Sequence, residues 1–201
     1  MPSQSDEDTV DQNAIDVALM LRVRDDDDMD AFEQLVERHQ HAIVGTVAKM
    51  LNSNADAEDI AQQVFIRLWK SAKRYKEQAK FTTFLYTVTK NLVFNESKKR
   101  SRRKQVSIEE RAEDSHLEIP DHQSRSPDNT VLEAELRSAI DSAIAQLPEK
   151  QRLAVILRRY EQLSYEEIAA VLSLTVSAVK SQLFRARTSL KELLHNYLNS
   201  P

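Results

Sequence analysis

The chain has no cysteine and a single glycine, Gly45, among 201 residues. Without cysteine there is no disulfide, thiolate metal site or cysteine nucleophile. Average usage of about 7% would supply roughly fourteen glycines. Gly-rich phosphate cradles and dinucleotide fingerprints need several glycines at set spacings, so both are excluded. Hairpin turns also draw on glycine, which weighs against an all-β fold. No apolar run approaches the roughly 20 residues of a membrane helix. The acidic, polar start MPSQSDEDTVDQNA lacks the pattern of a signal peptide. The expected location is cytoplasmic, with no membrane insertion.

Catalytic constellations are missing too. The histidines are His39, His41, His116, His122 and His195. His39-Gln40-His41 lacks the i,i+4 spacing of a helical zinc pair. His116 and His122 lie in the linker with Glu118 and Asp121 nearby, a spacing that chance explains better than a metal site. The chain is read as a non-enzyme that takes no metal and no cofactor.

The formal net charge is −4, which alone argues against a nucleic-acid partner. Its distribution argues otherwise. Residues 1–30 hold ten acids against two bases, and 105–135 hold nine against two. Bases prevail elsewhere: nine against six acids in 31–95, six against one in 96–104, and nine against six in 136–201. Acidic runs such as Asp25-Asp26-Asp27-Asp28 repel themselves and favour solvated segments. Residues 105–130, with Pro120 and Pro127, read as a linker. The expected organisation is a disordered acidic tail at 1–13, an amino-terminal domain at 14–104, that linker, and a carboxyl-terminal domain at 131–199.

Both domains have helical period. Phe32, Leu35, Val36, His39, Ile43, Val47 and Met50 recur at three- and four-residue steps. Ala57, Ile60, Ala61, Val64, Phe65 and Leu68 form a second stripe. Lys73–Lys80 lacks one and reads as a polar loop. Phe81, Phe84, Leu85, Val88 and Leu92 begin a third, which runs into the basic block ending at Lys104. Leu132, Leu136, Ile140, Ala143, Ile144 and Leu147 form a fourth, and Pro148 suits the start of a new helix. The fold class is all-α, two small helical domains.

Residues 163–195 are the most informative. Ser164-Tyr165-Glu166-Glu167 is a capping box, with Leu163 and Ile168 at the hydrophobic-staple positions. A short turn, Ser173-Leu174-Thr175, offers Thr175 as the next N-cap. The helix after it buries Val176, Val179, Leu183, Ala186, Leu190 and Leu193 on one stripe. Its other face shows Ser177, Lys180, Ser181, Phe184, Arg185, Arg187 and Thr188. This is the layout of a helix-turn-helix, whose second helix enters the major groove. There Arg bonds guanine edges while Lys, Ser and Thr mostly hold phosphates.

Ala57–Trp69, with the run AEDIAQQVFIRLW, resembles the signature helix of bacterial sigma factors. Phe81–Asn91, FTTFLYTVTKN, resembles the helix that follows it. Leu147–Arg152 and Ser164–Leu194 resemble the carboxyl-terminal sigma domain. Only these two domains are present, in the family's order, which is the layout of the extracytoplasmic-function (ECF) group. The resemblance implies an alternative sigma factor that binds core RNA polymerase, at the clamp of its largest subunit and at the flap region, and directs initiation at chosen promoters. An anti-sigma protein is a further expected partner.

By that resemblance, Glu58, Asp59, Gln62, Gln63 and Arg67 would face the clamp. Tyr75, Lys76, Lys80, Thr83, Tyr86, Thr87, Lys90 and Asn91 would meet and help melt the minus-ten element. Unstacked bases there are held by stacking, polar groups and cations. Lys98, Lys99, Arg100, Arg102 and Arg103 would follow phosphates. Ser177–Thr188, including Gln182, would read the minus-thirty-five element. The linker is either an RNA mimic in the polymerase or a passive tether. The chain departs from the family at Phe84 (often Trp), Asn95 (often Asp), Ser173 and Ala178 (often Gly) and Gln182 (often Arg). Ser173 puts the turn geometry in question, because serine tolerates a positive φ less well than glycine. The competing reading is a stand-alone helix-turn-helix regulator, which leaves the Ala57–Trp69 motif unexplained.

Overall fold

The computed structural model describes the backbone of residues 4–77, 79–110 and 129–198, and the side chains of 12–77, 79–103 and 135–195. Most of the linker, with His116 and His122, lies outside the described residues. Among those described, all regular structure is helical: α1 (Gln4–Asp26), α2 (Met29–Leu51), α3 (Ala57–Ser71), a 3-10 turn (Ala72–Arg74), α4 (Phe81–Glu110), α5 (Asn129–Ala145), α6 (Glu149–Arg159), α7 (Tyr165–Leu172) and α8 (Val176–Leu198). No single helix among the described residues is long and apolar enough to cross a membrane.

The helix boundaries have local causes. Asp28 caps α2 by accepting a hydrogen bond from the Ala31 amide at 2.9 Å, which satisfies one of the orphan donors of the first turn. Asn52 ends α2 in the left-handed region, at φ 49°, a conformation Asn tolerates. In α4 the hydroxyls of Thr87 and Thr89 donate back to the carbonyls of Thr83 and Leu85, at 2.7 and 2.9 Å. That satisfies the two hydroxyls within the helix itself, Thr89 at a buried position and Thr87 at a half-buried one.

One element departs from the sequence reading. The first helix starts at Gln4, so it extends into residues 4–13, read above as a disordered tail. Leu19, Met20 and Val23 of α1 are buried. Their three- and four-residue spacing is masked in sequence by the acidic residues around them. Asp16 is also buried, at 3% exposure. Its carboxylate accepts from Arg38 Nε at 2.7 Å and pairs with His39 Nε2 at 2.8 Å. The His39 ring in turn packs on Phe81, 5.1 Å between centroids. One acid thereby ties α1 to α2 and α4.

Burial pushes the Asp16 carboxyl up, but its contacts with His39 and Arg38 outweigh that and leave it below the ordinary value. A carboxyl lowered by folding stabilises the native state above its unfolded value of about 3.9. That contribution is lost as pH falls through the lower, folded value. Asp16→Asn is therefore expected to lower stability at neutral pH and to flatten the acid limb below about pH 4. Urea midpoints measured across pH check this; an acid limb as steep as in the parent chain would place the dependence elsewhere.

In the amino-terminal half, α1 and α3 flank α2, and α4 lies against all three. In the carboxyl-terminal half, α5, α6 and α7 pack on α8. The two halves also meet. α7 packs on α4, and α5 and α6 pack on α2. Buried apolar residues from both halves, from Leu35, Phe81 and Leu85 to Ile156, Ile168 and Val179, belong to one continuous core.

Candidate functional site

The carboxyl-terminal helices form as their local sequence directs. The Glu167 amide donates to Ser164 Oγ at 3.1 Å, and the Ser164 amide donates to Glu167 Oε2 at 2.7 Å. The capping box is thus complete. α7 ends on Ser173 in the left-handed region, at φ 55°. Thr175 Oγ1 accepts from the Ala178 amide at 3.1 Å and caps α8. Serine therefore adopts the turn conformation that glycine supplies more cheaply, at a cost of about 1 kcal/mol. The axes of α7 and α8 are bent by 96°, within the range of a helix-turn-helix.

This geometry sorts α8 into two faces. Val179 and Ala186 are fully buried, and Val176, Leu183 and Leu190 pack partly against the core. Ser177, Lys180, Ser181, Phe184, Arg185, Arg187 and Thr188 are all exposed, and Gln182 is half-buried. Phe184 is 72% exposed, an unusual position for an aromatic with no structural need to be there. Ser164→Ala should lower stability by about 1 kcal/mol by leaving the Glu167 amide without its side-chain acceptor. A chemical-denaturation midpoint indistinguishable from that of the parent chain would contradict the capping role.

α3 likewise buries Ala57, Ile60, Ala61, Val64, Phe65 and Leu68. Its opposite face exposes Glu58, Asp59, Gln62, Gln63 and Arg67. Ile66 stands among them, 52% exposed. The sequence reading passed it over, because one apolar residue outside the stripe carries no periodic signal.

The residues assigned to minus-ten recognition do not share one environment. Lys76, Asn91, Lys98, Lys99, Arg102 and Arg103 are exposed. Arg100 is half-buried and donates to Asp56 Oδ2 at 2.9 Å. Tyr75 is 2% exposed; its ring packs on Phe81 and Phe84, with centroids 6.5 and 5.3 Å away. It is therefore a core residue of the amino-terminal half, whereas the family resemblance places it among the minus-ten contacts. Thr83 and Tyr86 are also buried, at 6% and 4%, and Thr87 is half-buried.

Tyr86, Lys80 and Lys90 touch the carboxyl-terminal half. The Tyr86 hydroxyl donates to Glu161 Oε2, and Thr46 Oγ1 donates to Glu161 Oε1 at 3.0 Å. Burial, then the Glu161 carboxylate, push the Tyr86 phenol far above its ordinary value, so it stays a donor. Lys90 Nζ donates to the Val171 carbonyl at 2.8 Å, at the end of α7 where the helix dipole favours a cation. Burial, then the charge of Lys150, lower the Lys90 ammonium. Lys80 Nζ pairs with Glu167 Oε1 at 3.1 Å. Arg152 Nη1 donates to the Met50 carbonyl at 2.6 Å, and Nη2 donates to the carbonyls of Ala145 and Leu147. One guanidinium thus serves the ends of both α2 and α5. Glu161 and Thr46 were not singled out from sequence, since neither lies in a motif or on a periodic stripe.

Known proteins are similar to this chain in sequence and fold. The family model described as Sigma-70 region 2 matches residues 35–103, and that described as Sigma-70, region 4 matches residues 137–190. The chain is 34% identical over 174 residues to the RNA polymerase sigma-H factor of Pseudomonas aeruginosa, covering 85% of this chain and 90% of that protein. It is 33% identical over 177 residues to the ECF RNA polymerase sigma-E factor of Escherichia coli, covering 87% and 92%. Among solved structures, sigma factor RpoE bound to the anti-sigma factor NepR, from Bartonella quintana, aligns at a TM-score of 0.62 and 25% identity, over 82% of this chain and 96% of that one. CnrH in complex with the cytosolic domain of CnrY shares the fold at a TM-score of 0.66 and 22% identity, over 92% and 99%. Two sigma-70 regions in order, with relatives a third identical over most of both chains, establish that this chain belongs to the ECF group of RNA polymerase sigma factors, the non-catalytic subunits that bind core polymerase and promoter DNA to initiate transcription.

Proposed function

We propose that α8 reads the minus-thirty-five element through Ser177, Lys180, Ser181, Gln182, Phe184, Arg185, Arg187 and Thr188. The observation that carries this is the sorting of α8, whose basic and hydroxyl-bearing face lies opposite its buried stripe. Arg185 and Arg187 supply planar donors for guanine edges, Lys180 and the hydroxyls hold phosphates, and the Phe184 ring offers apolar contact to a thymine methyl.

The exposed polar face of α3, with Glu58, Asp59, Gln62, Gln63 and Arg67, docks on the clamp of the largest polymerase subunit, and Ile66 adds an apolar contact at its middle. The carboxyl-terminal domain, 131–199, meets the flap region. The amino-terminal domain, 14–104, engages the minus-ten element through α4 and the loop before it, with Lys98–Arg103 along the phosphates. An anti-sigma protein is a further partner, in keeping with the complex formed by the Bartonella quintana relative. The site of action is the cytoplasm, where the polymerase works.

The test is transcription in vitro with core polymerase on a genomic promoter library. The expected outcome is initiation from a defined promoter set only when this chain is added. Absence of chain-dependent initiation from every template, together with duplex binding by the isolated chain, would falsify the reading in favour of a stand-alone regulator.

A further inference from the structure

Tyr165 opens α7 and is half-buried, with part of its ring packed against the core. Two cations from two other helices meet that ring. The Arg158 guanidinium of α6 stands over it, 5.0 Å from the centroid, and Lys180 Nζ of α8 stands 5.8 Å away. Both distances are within the range at which the negative face of an aromatic ring attracts a cation. Arg158 and Lys180 are exposed, and among the described residues neither is in an ion pair. Arg158 Nη1 donates to the Leu163 carbonyl at 2.8 Å across the turn between α6 and α7. That bond uses one of the five donors a guanidinium carries.

Two positive charges gathered at one ring repel each other. A bound anion relieves that repulsion, so the arrangement favours one. Its place in the fold says which anion. Lys180 stands one turn before Phe184 on the exposed face of α8. Through the Tyr165 ring, Arg158 is joined to the same face. A helix face laid in the major groove is flanked by backbone phosphates.

We propose that Arg158, Tyr165 and Lys180 form a second DNA-backbone grip, in which the Tyr165 ring positions the two cations to hold phosphates beside the minus-thirty-five element. This rests on the reading of α8 given above, and it extends that surface onto α6 and α7. Phosphate contacts set orientation and carry no sequence information directly. The grip therefore adds affinity and register while the α8 side chains read the bases. Tyr165 acts through the two cations and is a positioning residue.

The test uses holoenzyme assembled from core polymerase and the full chain. Its ligand is a fluorescent duplex carrying the minus-thirty-five element, without the minus-ten element, of a promoter mapped for this chain. Anisotropy reads affinity across a salt series. Arg158→Gln keeps an amide donor for the Leu163 carbonyl and removes the charge. It should weaken binding alike on matched and scrambled duplexes and lower the salt slope by about 1. Tyr165→Leu keeps an apolar side chain and removes the ring. It should weaken binding by about two- to fivefold for each cation released, and Tyr165→Phe should restore most of that loss. In a chain already carrying Arg158→Gln and Lys180→Ala, Tyr165→Leu should cost nothing further, because its effect runs through those two charges.

An equal loss from Tyr165→Leu in both backgrounds overturns the positioning role, since a ring that only supports the fold does not depend on the cations. A loss from Tyr165→Phe as large as that from Tyr165→Leu overturns it in favour of direct contact by the hydroxyl. An unchanged salt slope in Arg158→Gln overturns the second grip. Far-UV circular dichroism reports the fold; if Tyr165→Leu fails to fold, the Arg158→Gln slope and the Tyr165→Phe affinity decide. Arg185→Ala, outside the grip, is the control for α8. No loss there sinks the α8 reading itself. A loss there, with none from Arg158→Gln or Tyr165→Leu, sinks the grip and leaves the α8 reading standing.

Discussion

Arg185→Ala lowers transcription from promoters with a minus-thirty-five element by about 5- to 150-fold, the equivalent of the roughly 1–3 kcal/mol carried by one bidentate arginine–guanine pair. The reason is positional. Arg185 lies on the exposed face of α8, one residue before Ala186, which is fully buried. The buried neighbour holds the helix in register while the guanidinium projects away from the core. No hydrogen-bonded partner competes for it among the described side chains, so its loss removes a DNA contact without opening a cavity. Run-off transcription measures the effect, and a pull-down with core polymerase supplies the control. Affinity for core polymerase should survive, because the proposed clamp surface is on α3 and the exposed face of α8 that carries Arg185 is assigned to DNA and not to the flap. An equal fall in polymerase affinity would mean that α8 docks on protein and not on DNA.

Leu157→Ala has a comparably large effect of a different kind. Leu157 is fully buried on α6 and belongs to the core shared by both halves. Truncating a buried leucine costs about 2–5 kcal/mol through lost transfer energy and the cavity left behind. The unfolding equilibrium shifts by about 30- to 5000-fold accordingly. Phe184→Ala is the informative comparison. It removes a larger apolar side chain, but one that is 72% exposed, so stability should change by no more than about 0.5 kcal/mol. Urea unfolding of both variants tests the contrast. A Phe184→Ala loss as large as that of Leu157→Ala would show that the ring is buried in solution and is no part of a DNA face.

Much of the fold was legible from local signals. The capping box at Ser164 and Glu167 and the N-cap at Thr175 are confined to four-residue windows, and each formed as read. The stripes of α2, α3 and α8 recur at helical period, so their buried and exposed faces followed directly. α1 was not legible, because ten acids in the first thirty residues hid the spacing of Leu19, Met20 and Val23. The paired acid Asp16 shows the same difficulty. A carboxylate reads as solvated until a partner is known, and Arg38 and His39 lie more than twenty residues away.

The candidate surfaces divide along the same line. The α3 and α8 faces were readable because exposure on a helix follows from which residues its own stripe buries. α4 was not, because it is packed on more than one side. Whether Tyr86 is platform or core depends on Glu161, 75 residues further along the chain. Whether Lys90 is free depends on a carbonyl 81 residues away. Backbone carbonyls carry no sequence signature at all. The positions of the helices after α1, their caps and the helix-turn-helix were therefore set by interactions within a few residues, which a linear pattern records. The burial of Tyr75 and Tyr86, the pinning of Lys80 and Lys90 and the contact between the two halves were decided by long-range packing. Burial is a property of two surfaces together, and only the folded chain brings both to the same place.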